Sequence, residues 1–254
     1  IKVNTNATKM NDKLIHSILS AKVATVVYSV DASTKETYEK IRTPAKFHKL
    51  IKNLELFKEE DKKRKVFLNN VYINSVVSSD VKDEIAYHLK FYSRYTNMMN
   101  INVNLIDGLC PDNSYYFQHN ILKNHIKKRI PCNFLRGNMT ILSTGEVSVC
   151  CRDYSGDLVY ADAATDDLEA ALNSEKIVRL RKQHNENSIP KDYLCNNCYE
   201  NKEVADYFQI FAKYLKVKYY YKWNTEKVQS EFDSFFSLFE SGTPPKEEIY
   251  SLLD

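Results

Sequence analysis

Glycine is scarce in this chain, with five among 254 residues. Neither GxGxxG nor GxxxxGK[ST] occurs, which removes the usual dinucleotide- and mononucleotide-binding loops. Long apolar runs are missing too. Nothing approaches the roughly 20 residues that a membrane span needs, and no signal-peptide pattern opens the sequence, so the expected compartment is the cytoplasm and no membrane partner is expected. Charge of one sign is also lacking: 36 Lys and Arg stand against 33 Asp and Glu, a net +3, with the two signs interspersed. That is too little basicity to argue for nucleic acid, and no nucleic-acid partner is expected. The one basic run, "KEEDKKRK" from Lys58 to Lys65, reads as a solvated helix end. An initiator methionine is absent from the opening "IKVNTNAT", as though the sequence began in mid-strand, and a processed chain or a fragment is the expectation.

What is present reads as alternating strands and helices. Ile1 to Thr5 alternates apolar and polar residues, and "NDKLIHSILSAK" puts Leu14, Ile15, Ile18 and Leu19 on one helical face behind Asn11 or Asp12 as N-cap. Val23 to Val30 is β-branched and nearly all apolar, which suits a strand buried on both faces. Next comes a helix with Thr43 as cap, Pro44 in its first turn, and Phe47, Leu50, Ile51, Leu54 and Phe57 at helical spacing. "VFLNNVYI" is the expected third strand, a helix with Ile85, Leu89 and Tyr92 follows, and "NINVNLI" is the fourth strand. Such alternation predicts an α/β fold with a parallel sheet, and four strands are too few to close an eight-stranded barrel.

From Cys110 the character changes. After a polar aromatic linker, "MTILSTGEVSVC" predicts a hairpin turned at Ser143 to Gly145 that delivers Cys150 near the end of its second arm. A helical stretch capped by Thr165 leads through Pro190 to "CNNC". Beyond it, Val204, Phe208, Phe211 and Leu215, then Val228, Phe232, Phe235 and Phe239, form stripes at helical spacing, which are packing faces.

Six cysteines in a cytosolic chain point to metal or catalysis rather than disulfides. The order is Cys132-x17-Cys150, a long gap, then Cys195-x2-Cys198. A C-x2-C turn aims two sulfurs at one centre and a hairpin cysteine can complete the set, giving either tetrahedral zinc or an iron–sulfur cluster. Spacing alone leaves both open. Cys151, next to Cys150, reads as a buried thiol facing away, and Cys110 as a linker residue with no assigned chemistry.

Cys132, then Gly145 ahead of Cys150 (C-x12-G-x4-C), then "LNSEKIVRLR" and "CNNC", resembles the auxiliary-cluster domain of radical S-adenosylmethionine enzymes, of the SPASM type in its single-cluster twitch form. The front agrees: "VNTNAT" is similar to that family's third barrel strand, and "VVYSVDASTKETYEKIR" to its fourth strand and following helix. The resemblance implies an incomplete parallel (β/α) barrel over residues 1–109, a small α+β cluster domain over 110–200, and a helical extension over 201–254. It implies that Cys132, Cys150, Cys195 and Cys198 ligate one auxiliary [4Fe-4S] cluster. It places Ser29 and Arg42 where relatives meet the ribose or carboxylate of S-adenosylmethionine, and Asn6 at the strand end where barrel sites form.

The departures bear on activity. The family's C-x3-C-x2-C and its "GGEP"-like second strand are not in this sequence, and no cysteine follows Cys198. S-adenosylmethionine and a second [4Fe-4S] cluster are therefore expected only in a complete enzyme, and this chain alone is expected to be inactive. No catalytic residue is named. The expected reaction is radical oxidation or cross-linking of a small molecule or a peptide, with an external electron donor. Two readings stand beside it: a non-enzymatic binding module stabilised by zinc on the same four cysteines, and a peptide-recognition subunit that relies on another chain for chemistry.

Overall fold

The opening strand and the β-branched run that follows it pair as parallel neighbours, β1 (Lys2–Thr5) with β2 (Thr25–Ser29), with Val3 opposite Val26. The computed structural model describes residues 1–21, 23–65, 70–105, 119, 121, 132–153, 155–197, 202–240 and 246–252. These divide into two units, one of residues 1–106, 112–125 and 202–254, the other of 107–111 and 126–201.

In the first unit the sheet runs β1-β2-β3-β4, all parallel, with β3 at Val71–Val77 and β4 at Ile101–Leu105. Helix α1 (Asp12–Ser20) joins β1 to β2, α2 (Lys35–Ile41) and α3 (Phe47–Arg64) join β2 to β3, and α4 (Ile85–Tyr92) precedes β4. This is the α/β alternation expected. The side chain of Asn11 caps α1 by accepting from the Leu14 N–H at 2.9 Å. Ile15, Ile18 and Leu19 are buried as expected, but Leu14 is not part of that face and is 43% exposed.

Two boundaries differ from expectation. Thr43 and Pro44 do not start a helix; they lie between α2 and α3, and the Thr43 hydroxyl donates back to the Glu39 carbonyl at 2.7 Å. Lys46 occupies the N-cap of α3 without a side-chain cap, and the Glu39 carboxylate of α2 accepts from the Phe47 N–H at 3.2 Å instead. That hydrogen bond lowers the Glu39 pKa. The third strand is shifted towards the C-terminus: Val71, Ile73, Ser75 and Val77 alternate inward along it, while residues 66–69 lie outside the described residues. A period-2 pattern that includes a buried serine is less conspicuous in sequence than the all-apolar run ahead of it.

The C-terminal aromatic stripes form α7 (Lys202–Lys218) and α8 (Thr225–Leu238), and both pack into this first unit rather than standing apart as an extension. Phe211 stacks on Phe235 with centroids 5.0 Å apart, and Phe208 meets Phe235 edge-on at 5.6 Å. The Gln229 side chain of α8 donates to the Lys82 carbonyl at 2.9 Å and accepts from the Ala86 N–H at 3.1 Å, serving the N-terminus of α4, which has no side-chain cap of its own. A short helix, α9 (Lys246–Ser251), places Ile249 in the same core.

The second unit is built on a three-stranded antiparallel sheet, β5 (Thr140–Ile141), β6 (Glu146–Ser148) and β7 (Val159–Asp162), followed by α5 (Leu168–Leu172) and α6 (Glu175–Asn185). Strand β7 was not foreseen. The expected single helix from Thr165 is two helices, and Asp167 rather than Thr165 caps the first, accepting from Glu169 and Ala170.

Candidate metal centre

The hairpin is where expected. Thr140 opposes Ser148 and Ile141 opposes Val147, and the turn closes through the Gly145 N–H donating to the Leu142 carbonyl at 3.0 Å. Gly145 has φ +98°, a conformation that costs other residues energy, so glycine at this point of C-x12-G-x4-C has a backbone reason. The chain leaves β6 through Val149 and turns at Cys150 and Cys151.

One carboxylate fastens that turn. Asp153, 1% exposed, accepts from the Asp157 N–H at 2.9 Å, the Leu158 N–H at 3.0 Å and the Ser148 hydroxyl, while its own N–H donates to the Cys150 carbonyl at 3.2 Å. A carboxylate is buried at tolerable cost only when it is hydrogen-bonded this fully. Asp153 is not legible in the sequence, because a lone aspartate two residues past a Cys-Cys pair carries no spacing signal.

Helix α6 supplies the other wall. It buries Ile177 and Leu180, and Arg181 Nε donates to the Leu135 carbonyl at 2.6 Å, pinning the short turn Asn133–Arg136 that follows Cys132. Cys195 sits in the turn Leu194–Asn197, which is preceded by the Tyr193 N–H donating to the Pro190 carbonyl at 3.1 Å. Leu135, Val149, Leu158, Ile177, Leu180, Ile189 and Cys195 form one small apolar core, and the half-buried Cys132 and Cys150 pack against it. Burial pushes the Cys150 thiol pKa up, the Arg152 and Asp153 backbone amides pull it down, and Cys151 and Cys132 add to the upward shift.

Cys132, Cys150 and Cys195 are therefore gathered on one core, and the fourth expected ligand, Cys198, lies outside the described residues, as does Cys110. Among the described residues no three His, Cys, Asp or Glu side chains stand close enough to hold a metal ion by themselves. As a donor set, thiols on an apolar wall fit iron–sulfur or zinc and not a hard cation. Cys151 corrects an expectation: it is exposed rather than buried, because the strand ends at Ser148 and alternation no longer applies to it.

Residues 132–199 match the profile of SPASM, an iron–sulfur cluster-binding domain. No curated protein matches the chain. Among solved structures, "Native anSMEcpe with bound AdoMet" superposes with a TM-score of 0.52 at 13% identity, over 92% of this chain and 75% of that one. "Native anSMEcpe with bound AdoMet and Kp18Cys peptide" gives 0.51 at 13%, over 99% and 75%. The fold matches that of these solved structures, and the SPASM match falls within the second unit. No helix among the described residues is long and apolar enough to cross a membrane.

In the first unit, the parallel sheet puts the C-terminal ends of its strands along one edge. Ser29 ends β2, and Asn6 follows β1, where its carboxamide oxygen accepts from the Thr8 N–H at 3.2 Å and the Thr8 hydroxyl at 2.9 Å. Arg42, just past α2, returns to this edge: its Nε donates to Asp31 Oδ2 at 2.8 Å and its Nη2 pairs with the same oxygen. The other oxygen of Asp31, a residue 1% exposed, accepts from the Val76 N–H at 3.0 Å. Asp31 thus ties the loop after β2, the end of α2 and strand β3 together. It lies in the quoted "SVDASTKETYEKIR", where sequence reading gave it no role.

Proposed function

We propose that the chain is part of a radical S-adenosylmethionine enzyme in which Cys132, Cys150, Cys195 and Cys198 hold one auxiliary [4Fe-4S] cluster. The observation that carries this reading is the placement of Cys132, Cys150 and Cys195 on one apolar core inside the segment that matches SPASM. Bound there, the cluster would supply a site that accepts or passes an electron. The protein's contribution is structural: Leu135, Val149, Leu158 and Ile177 keep water from the sulfurs, and Asp153 fixes the turn that presents Cys150. In the barrel unit, Arg42, oriented by Asp31, is assigned to the carboxylate of S-adenosylmethionine, with Ser29 and Asn6 at the same strand edge towards its ribose.

The reaction assigned is radical oxidation or cross-linking. A cluster with cysteine in all four positions suits electron transfer better than substrate ligation, and it calls for an external electron donor. Solved relatives hold the Cp18Cys and Kp18Cys peptides, which favours a peptide over a small molecule as substrate. The 254 residues contain no C-x3-C-x2-C, so cleavage of S-adenosylmethionine is assigned to the complete enzyme.

Anaerobic reconstitution with iron and sulfide tests the reading. It should yield about four irons per chain with broad visible absorption, both lost when Cys195→Ala and Cys198→Ala are combined. One tightly held zinc and no colour would replace it with the zinc-stabilised binding module.

A further inference from the structure

A cavity of 590 Å³ opens in the first unit between strands β3 and β4 and helix α7. Its polar lining among the described residues is Asn74, Asn102, Asn104, Gln209, Lys213 and Lys216, with no Asp or Glu among them. The alternation of β4 explains the amides: Ile101, Val103 and Leu105 face the core, so Asn102 and Asn104 point to the opposite face. There the carboxamides are arranged in two pairs, Asn102 Nδ2 donating to Asn74 Oδ1 at 2.9 Å and Gln209 Nε2 to Asn104 Oδ1 at 2.9 Å. Each pair keeps further N–H donors and carbonyl lone pairs for a ligand.

Lys216 is the unusual member. It is 5% exposed, and its ammonium donates to the Ile101 carbonyl at 2.9 Å, a contact that leaves two of its three N–H groups. A buried cation ordinarily stands beside a carboxylate. None of the described ion pairs involves Lys216, and the neighbouring charge at the cavity is a second cation, Lys213. Burial first, and Lys213 second, lower the Lys216 pKa to about 8, which still leaves it mostly protonated at neutral pH.

We propose that this cavity binds an acidic peptide, its side-chain carboxylate against Lys216 and Lys213 and its main-chain amides against the Asn and Gln carboxamides. The two halves of the lining select that class together. The lysines ask for an anion, while the carboxamides present donors and acceptors side by side, which a peptide amide matches with its own N–H and C=O and which sulfate, an acceptor only, does not. Among the described lining residues none is aromatic, so they offer a nucleobase no stacking surface. The volume is within the range that takes a ligand of a few residues. Every described lining residue belongs to the first unit, so the inference does not depend on the cluster; it rests on the peptide-substrate reading, which it narrows to acidic peptides.

The test is a titration of the 254-residue chain, labelled with ¹⁵N, with acetyl-glycyl-glutamyl-glycinamide and with its glutaminyl counterpart, following the side-chain amide signals of Asn74, Asn102, Asn104 and Gln209. The acidic peptide should shift these signals saturably below about 1 mM and bind about tenfold more tightly than the neutral one. Lys213→Gln, at an exposed position, should weaken the acidic peptide several-fold and leave the neutral one unchanged. Lys216→Gln should do the same more strongly, with unshifted backbone amides elsewhere reporting an intact fold. Equal affinity for the two peptides, shifts confined to other residues, or no saturable shift would each overturn the proposal.

Discussion

The two units solve the problem of staying folded in different ways. The first surrounds a four-stranded parallel sheet with a core running from Ala7 to Ile249, in which Tyr28, Phe57, Tyr92, Phe208, Phe211 and Phe235 are almost wholly buried. The second gathers Leu135, Val149, Leu158, Ile177, Leu180, Ile189 and Cys195 under strands of two to four residues. Apolar burial contributes roughly 1.5–3 kcal/mol per large side chain, so the first unit has a deep reserve and the second a shallow one. A small unit with thiols on its core is the kind whose folding couples to metal.

Metal removal should show the largest contrast. After reconstitution, a strong chelator should speed amide exchange across 132–197 and leave β1 to β4 protected; equal deprotection of both units would break the distinction. The reverse experiment is Phe235→Ala, a side chain with no exposure that meets Phe208, Phe211 and Phe239. It should cost about 3–5 kcal/mol in urea unfolding of the first unit with iron loading unchanged.

A third difference is pH sensitivity. His88 is buried on α4 with Nε2 2.6 Å from the Ser75 hydroxyl, and burial drives its pKa from 6.5 to about 3. The unfolded chain therefore binds the proton more readily, so the stabilisation is full above pH 6.5 and fades as pH falls towards 3. Acid titration should weaken the first unit by up to about 1.4 kcal/mol per pH unit in that window, and His88→Gln should flatten the slope. An unchanged slope in the variant would remove His88 from the account. The smallest effect is expected at Cys151→Ser, within about 0.5 kcal/mol and without loss of iron, because the residue is exposed. Iron lost from that variant would reassign the ligand set.

Periodicity made the architecture legible wherever one face is uniformly apolar. Val26 to Tyr28, Leu50 to Phe57 and Phe208 to Leu215 were readable because burial and residue type coincide there. Val71–Val77 was misplaced because Ser75 breaks the apolar alternation while its hydroxyl is satisfied by His88, a partner far along the chain. The start of α3 was misplaced for a related reason. The N–H groups at the head of α3 are served by Glu39 and those at α4 by Gln229, so no local cap marks either boundary. Cys132, Cys150 and Cys195 were found from spacing and resemblance, since thiols are rare and chemically committed. The polar groups that organise the sites, Asp153 and Asp31, were invisible because a hydrogen-bond hub has no period and no fixed sequence distance to its partners.

Helix α7 returns to the first unit only after the whole second unit has been made. Until Phe208, Phe211 and Leu215 arrive, the core around β4 and α4 lacks part of its cover. At a ribosome's pace of about 5–20 residues per second, the interval between residues 106 and 202 lasts on the order of 5–20 s. Throughout it, the nascent sheet has a bare flank while the cysteine-bearing unit is still emerging. Birth order and finishing order are thus inverted: the sheet made before the cysteine-bearing unit is completed after it, and a chain cut off at residue 201 would lose the closing pieces of that sheet's core.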